Sequence, residues 1–391
     1  MRKELDMIIT FPKEKFLEKL YPSMVAVSNK STISETEGVM LETMPNGVLR
    51  MTTYDLQKGV RSYIEDVRIE EEGRYIIGAA RLLQIMKVMP DHSDVTISVD
   101  EKLSVKVESG KSSFSLFAMK CDGFPMLPDL SGDYGFMMPS GALKRMISKT
   151  IHSVAAQDTR PALCGAFFTF KRDSLEVISC DSYTLSKCSM KCEMTDLDGK
   201  NTLDKPMKMI IPGHALGELV RMLGDNDNPV MVYMGVKHAI FHIDGIIFFT
   251  RLIDGNYIDY ERIMPKEQTV FLSLDRERLL EGLERAILVA EEKYAGTGRS
   301  YVKLTVKENS LILSSSSASG KIYDEMDCEH EGEDMEIGFN CRYLINSVSA
   351  ADSEKIIVTM KSANHSITIE PFERSEEKDF FYLVLPVRMY E

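Results

Sequence analysis

The sequence predicts an α+β protein built from three similar domains, each with two helices packed on antiparallel sheet. Three observations carry this. A long amphipathic helical pattern recurs at intervals of roughly 130 residues, the size of a domain and too long for a solenoid unit. Each long helix is followed by two short alternating runs of the kind that pair as strands, then by a second, shorter helical pattern. The turn pair Asp122-Gly123 is echoed one period later by Asp254-Gly255, and proline punctuates both stretches.

The long helices are expected over Pro12 to Asn29 (Phe16, Leu17, Leu20, Met24, Val27), Ser140 to Gln157 (Leu143, Met146, Ile147, Ile151, Val154) and Asp275 to Lys293 (Leu279, Leu280, Leu283, Ile287, Leu288). Strand pairs follow at Gly38 to Thr43 with Leu49 to Asp55, Gly165 to Phe170 with Leu175 to Asp181, and Tyr301 to Val306 with Leu311 to Ser317. Short helices are expected at Ala79 to Met89, Gly213 to Leu223 and Asn340 to Ala351, with further strands at Val95 to Val99, Pro229 to Tyr233 and Lys355 to Thr359. The domains are placed at 1–130, 131–262 and 263–391. Between the second and third, Arg251 to Pro265 is too apolar for a free linker and too interrupted for a helix, so it reads as a structured connector (Tyr257, Ile258, Tyr260, Ile263).

A hydrophobic content of 44% with 27% charged residues fits a soluble globular chain with full cores. No run approaches the roughly 20 apolar residues of a membrane span, and the N-terminal residues Met1 to Asp6 lack a signal-peptide apolar region, so a cytoplasmic protein is expected. Seven cysteines, an odd number in a long chain, are expected to be reduced thiols. The net charge of −13 argues against a nucleic-acid partner. The helical stretches nevertheless carry net positive charge, through Lys13, Lys15, Lys19, Lys30, Arg81, Lys87, Lys144, Arg145 and Lys149. The third long helix is acidic on balance (Glu281, Glu284, Glu291, Glu292). A positive stripe in an acidic body suits a phosphate backbone, and ordinary solvated helix faces read the same way.

Catalytic readings are thin. His238 and His242 have the i, i+4 spacing of a helical metal pair, but they sit in a strand pattern without the internal glutamate. Cys188 and Cys192 lack CxxC spacing. There is no GxxxxGK[ST] loop and no GxSxG elbow, and Asp181, Asp254 and Asp259 are ordinary turn aspartates that only a hydrolase reading would recruit. No catalytic residue, metal or cofactor is expected.

Four stretches then resemble one family: Gln157-Asp-Thr-Arg-Pro-Ala-Leu-Cys-Gly165, Arg251 to Pro265, Phe339-Asn-Cys-Arg-Tyr343 and Tyr382-Leu-Val-Leu-Pro-Val-Arg-Met-Tyr390. With the triple repeat they resemble the bacterial sliding clamp, the beta subunit of the replicative DNA polymerase, over the whole chain. The resemblance implies a non-catalytic processivity factor: a head-to-tail dimer closing six domains into a ring, with helices lining a hole for duplex DNA. It implies tethering of the polymerase, the clamp loader and other clamp-motif proteins. Lys30, Arg81, Lys87, Lys144, Arg145 and Lys149 are expected to face the DNA, with Gln157 near its path. A partner-peptide pocket between the second and third domains is assigned Arg160, Leu163, Cys180, Leu185, Ile258, Arg262, Ile263, Tyr294, Asn340, Tyr343, Ser366, Leu383, Val384, Leu385, Pro386, Val387 and Arg388. It suits a short peptide with one glutamine and two bulky apolar residues. The first domain of one subunit is expected to meet the third of the other near Leu288 and Val289. A scaffold that binds such peptides without DNA is the rival reading.

The chain departs from the family pattern at three places. Ser182 stands for a glycine, Thr184 for an arginine and Ile258 for a common proline. Two expectations follow: Thr184→Arg strengthens peptide binding about tenfold, by a hydrogen bond plus packing, and removal of Leu383 to Glu391 abolishes it while leaving the dimer intact.

Overall fold

The computed structural model describes residues 5–130, 134–197, 202–290, 293–294, 298–299, 301–317, 320–375 and 378–389. All six expected helices form: α1 (Lys13–Ser23), α2 (Ala79–Val88), α3 (Ser140–Thr150), α4 (Gly213–Met222), α5 (Arg276–Ala290) and α6 (Cys341–Ala350). Two of the long ones, α1 and α3, stop short of their apolar periodicity for local reasons. Pro22 lies in the last turn of α1, where it has no N–H to extend the ladder, and the chain tightens into a 3-10 turn at Met24–Ala26. In α3, Thr150 Oγ1 donates to the Met146 carbonyl at 2.8 Å, a back-bond that competes with the helix, and a 3-10 turn follows at Ile151–Ser153. Asp275 starts α5 by accepting the Arg278 amide at 2.8 Å, and Asn340 starts α6 by accepting that of Arg342 at 3.0 Å. Among the described residues no helix is long and apolar enough to cross a membrane.

The chain forms two compact units, Met1–Ser140 with Asp196–Lys200 and Arg221–Leu252, and Gly141–Thr195 with Asn201–Val220 and Ile253–Glu391. This division cuts across the repeat period, and strand pairing explains why. In the first unit the hairpin Val48–Tyr54 and Lys58–Ile64 extends antiparallel onto Ile246–Arg251, a strand of the next repeat, with Gly59 opposite Phe249. The second unit repeats the arrangement one period later. Ser174–Cys180 pairs with Thr184–Lys191, which pairs with Lys378–Val384, and Leu185 faces Leu383. The third hairpin, Ser310–Ser316 with Lys321–Asp327, leaves Lys321–Asp327 at the edge of a four-stranded sheet. The first repeat's last strand, Ser112–Met119, pairs with Ser104–Ser109 on one side; on the other, Ala118 and Met119 alone pair, with Ile77 and Ile76.

The helices are packed against the sheets of their own unit. In the first, Phe16 and Leu20 of α1 and Leu82, Ile85 and Met86 of α2 enter one core with Ile9, Val39, Leu41 and Met51. Phe11 and Phe16 stack at 4.3 Å. Such side chains contribute roughly 1.5–3 kcal/mol each on burial. In the second, α5 lies against α6 and against strands Ser310–Ser316 and Lys321–Asp327. Gly282 permits that approach, since a Cβ there would meet Leu313 Cδ1 at 2.8 Å and Met326 Cε at 2.9 Å.

Candidate peptide slot and nucleic-acid face

The slot is assembled from separate elements of the second unit. Leu163 comes from the 3-10 turn Pro161–Cys164, Cys180 from the end of its strand, and Leu185 and Leu383 from a directly opposed strand pair. These four are buried in one cluster, and Ala155, Ile258, Tyr260 and Phe381 pack against it partly exposed. Leu163, Cys180, Leu185, Ile258 and Leu383 were expected together. Ala155, Tyr260 and Phe381 were missed, although strand alternation could have found Phe381, two residues before Leu383 in Lys378–Val384.

The connector supplies Ile258 because its neighbour is anchored. Tyr257 stacks on Phe167 at 5.3 Å, its hydroxyl 3.5 Å from the Gly165 carbonyl, and the Ile253 amide donates to Ile210 at 3.0 Å. Further along, Arg262 is exposed and paired with Asp259 at 2.8 Å, and Ile263 is half-exposed outside the cluster. After Val384 the C-terminal tail is stitched down by backbone. Leu385 donates to the Tyr183 carbonyl at 2.9 Å and Val387 to that of Gly338 at 2.8 Å, so Pro386 is held between them while Arg388 stays exposed. Tyr343 stacks on the exposed Tyr183 at 5.8 Å, and Asn340 is the cap of α6. Ser366 precedes Ile367, which pairs with Val384. Tyr294 pairs with Gly298, and its side chain lies outside the described residues.

Val384 and Thr184 are opposed on the other face of the pleat. Thr184 is buried, and its hydroxyl donates to Ser153 at 2.9 Å; Ser153 meets Ser186 at 2.7 Å, and Ser186 meets His152 Nε2 at 3.0 Å. His152 lies edge-on to Tyr382 at 5.4 Å, and burial lowers its pKa to about 4, so the imidazole is neutral. This corrects the expectation for Thr184→Arg. An arginine at this buried position has to displace the hydroxyl network before its guanidinium can approach the cluster. The expected result is a loss of about 3 kcal/mol or more in a denaturant titration with no gain in peptide affinity. Tighter binding at unchanged stability would show instead that the side chain reaches the slot.

In the first unit the corresponding strand pair is filled by an aromatic ring. The residue opposite Phe249 is Gly59, and a Cβ added there would lie 2.1 Å from the Phe249 ring; Tyr54, Ile240 and Phe249 form a buried cluster under Phe124, Leu127 and Leu130.

The basic residues divide in two. Lys30, Arg81 and Lys87 are exposed, as is the uncharged Gln157, with the Lys87 ammonium 5.3 Å from the Tyr21 ring, and Lys144 is half-buried. Arg145 and Lys149 instead converge on Asp352, and Lys149 is buried 4.9 Å over the Phe380 ring. Their charges are met within the fold. Lys13 is likewise buried, donating to the Met89 carbonyl and to Asp91, both at 2.6 Å, which ties α1 to the end of α2. No group of three metal-ligating side chains occurs among the described residues, and His238 and His242 lie in one strand. The seven cysteines are free thiols.

Repeated α+β domains that share sheets, one of them with a buried apolar cluster flanked by the partly exposed Ile258, Tyr260 and Phe381, define a modular protein. Models of the DNA polymerase III beta subunit match in chain order: the N-terminal domain at residues 7–128, the central domain at 137–259 and the C-terminal domain at 261–388. The beta sliding clamps of Haemophilus influenzae and Bacillus subtilis are each 28% identical to this chain, over 98% of it and all of the relative. The solved Bacillus subtilis clamp superposes with a TM-score of 0.89 at 26% identity, and a Pseudomonas aeruginosa sliding clamp bound to griselimycin with 0.86 at 25%; each match covers 98% of this chain and all of the other. The chain belongs to the DNA polymerase III beta subunit family, the beta sliding clamps.

Proposed function

We infer that this chain is a DNA sliding clamp of the cytoplasm: a non-catalytic processivity factor that encircles duplex DNA and tethers the polymerase, the clamp loader and other partners by short peptides. Its clamp domains are 1–130, 131–262 and 263–391. The observation that carries the reading is the pairing rule between repeats. The outer hairpin strand of one repeat pairs with the last strand of the next, and this is satisfied twice within the chain. The third hairpin strand, Lys321–Asp327, has an open edge, and the complementary strand of the first repeat, Ser112–Met119, has another over Ser112–Phe117. Exposed apolar side chains mark both, Tyr323 on one and Phe117 on the other, and Leu288 stands out from the neighbouring α5. Two copies placed head to tail satisfy both edges, and three repeats per chain then close a six-domain ring.

Enclosure makes weak phosphate contacts sufficient, because escape from a closed circle requires opening an interface. The expected result is that the protein, once loaded, stays on circular DNA and runs off when the circle is cut. Replacing Lys30, Arg81, Lys87 and Lys144 by glutamine is expected to lower the log–log salt dependence of binding to linear DNA by about 0.9 for each phosphate no longer neutralised, with retention on circles nearly unchanged. Gel filtration of loaded complexes checks retention, and a salt titration on linear DNA checks the slope. Equal behaviour on cut and closed DNA would favour the scaffold without a ring.

A further inference from the structure

Ser182 stands at φ +77, a backbone conformation that side chains other than glycine rarely adopt. The turn itself demands that conformation. Asp181 Oδ1 accepts from the amides of Tyr183 and Thr184 at 2.9 and 2.6 Å, just as Asp55 Oδ1 accepts from Gln57 and Lys58 at 2.9 and 2.7 Å in the first unit. There the second turn residue, Leu56, has φ +75. The strain therefore belongs to the turn, and what sets Ser182 apart is where its hydroxyl lies. Its Oγ accepts from Nη2 of Arg160. The same guanidinium donates from Nε and Nη2 to the two oxygens of Asp158, at 3.0 and 3.1 Å, and the Arg160 amide donates to Asp158 Oδ1 at 2.8 Å. Arg160 beside it holds the Asp158 carboxyl down at about 2, so the ion pair persists across the working pH range. The fork is thus gripped by a carboxylate and by a hydroxyl, while 55% of the Arg160 side chain stays exposed three residues from Leu163 of the slot.

We propose that Ser182 is a positioning residue for partner-peptide binding, holding the Arg160 guanidinium so that Nη1, which none of these bonds uses, donates to an uncharged carbonyl oxygen of the bound peptide. The proposal rests on the slot reading above. A guanidinium immobilised beforehand loses less side-chain freedom when the peptide arrives. With Asp158 neutralising its charge, it offers a peptide carboxylate little advantage over an amide. Glycine would relax the turn and leave the fork to Asp158 alone; serine keeps the strain and the second grip.

The test uses the full-length protein and a fluorescein-labelled short peptide carrying one glutamine and two bulky apolar residues, read by anisotropy beside thermal melting. Ser182→Gly is expected to weaken binding about three- to tenfold with the melting temperature unchanged or raised. Ser182→Asn, which tolerates the left-handed region and carries an acceptor, is expected to stay within about twofold of the wild type. In an Arg160→Ala background, Ser182→Gly is expected to cause no further loss. Wild-type affinity in Ser182→Gly, or the same loss in both backgrounds, overturns the proposal alone. A wild-type chain that does not bind the peptide removes the slot reading, and the proposal with it.

Discussion

Replacing Leu288 and Val289 together by aspartate is expected to convert the protein to a monomer. Leu288 is 76% exposed on α5, and Val289 beside it is partly exposed, so neither substitution disturbs the core of its own chain. Changes at such positions stay within about 0.5 kcal/mol of chain stability. In the proposed head-to-tail dimer both positions are expected to meet the first domain of the partner, where each carboxylate would lose water without gaining a cation. Breaking apolar contact with an unpaired charge costs several kcal/mol, and the twofold arrangement applies that cost at both interfaces. Sedimentation velocity at micromolar concentration reads the result directly, with an unchanged melting curve as control. A double variant that sediments as the wild-type dimer would place the interface elsewhere. Retention on circular DNA is expected to vanish with the dimer, because an open chain encloses nothing.

Removing residues 385–391 is expected to reduce peptide affinity by a hundredfold or more, about 3 kcal/mol, with the dimer intact. This cut differs from removal of Leu383 onward, which the sequence alone recommended. Leu383 and Val384 are buried strand residues opposite Leu185 and Thr184. Losing them would open the sheet beneath the slot at roughly 2–5 kcal/mol for a Leu-sized core deletion, and weaker binding would then report unfolding. Cutting after Val384 takes only the segment stitched by Leu385 and Val387 to Tyr183 and Gly338. Anisotropy with the labelled peptide, beside a melting curve, separates the two effects. Affinity within threefold of the wild type would mean that the tail lies outside the site.

The cluster around Leu163 shows how far sequence reading reaches and where it stops. Leu163, Cys180, Leu185, Ile258 and Leu383 were expected to meet, and they form one cluster with its neighbours. The resemblance of the motifs supplied that grouping; no periodicity links residue 163 to residue 383. Thr184 shows the limit. Its identity marks a departure from the family, but only strand register decides that it faces Ser153 and His152 while Leu185 next to it faces the slot. One residue of register exchanges the two faces of a strand. Lys149 is similar, since a basic residue on a helix counts as surface charge until Asp352, some two hundred positions away, is found beside it.

The sequence by itself determined the α+β class, the six helices, the triple repeat and the family, because these rest on local periodicity, turn chemistry and motif order, all written in neighbouring residues. Tertiary structure alone decided which strands join one repeat to the next, leaving two edges open. It also decided which positive charges are neutralised inside the fold, that Gly59 meets the Phe249 ring in the first unit where Leu185 meets Leu383 in the second, and that Ser182 grips Arg160. Each of these depends on pairs of side chains distant in the chain, whose meeting is set by sheet register and packing, and no local pattern encodes either.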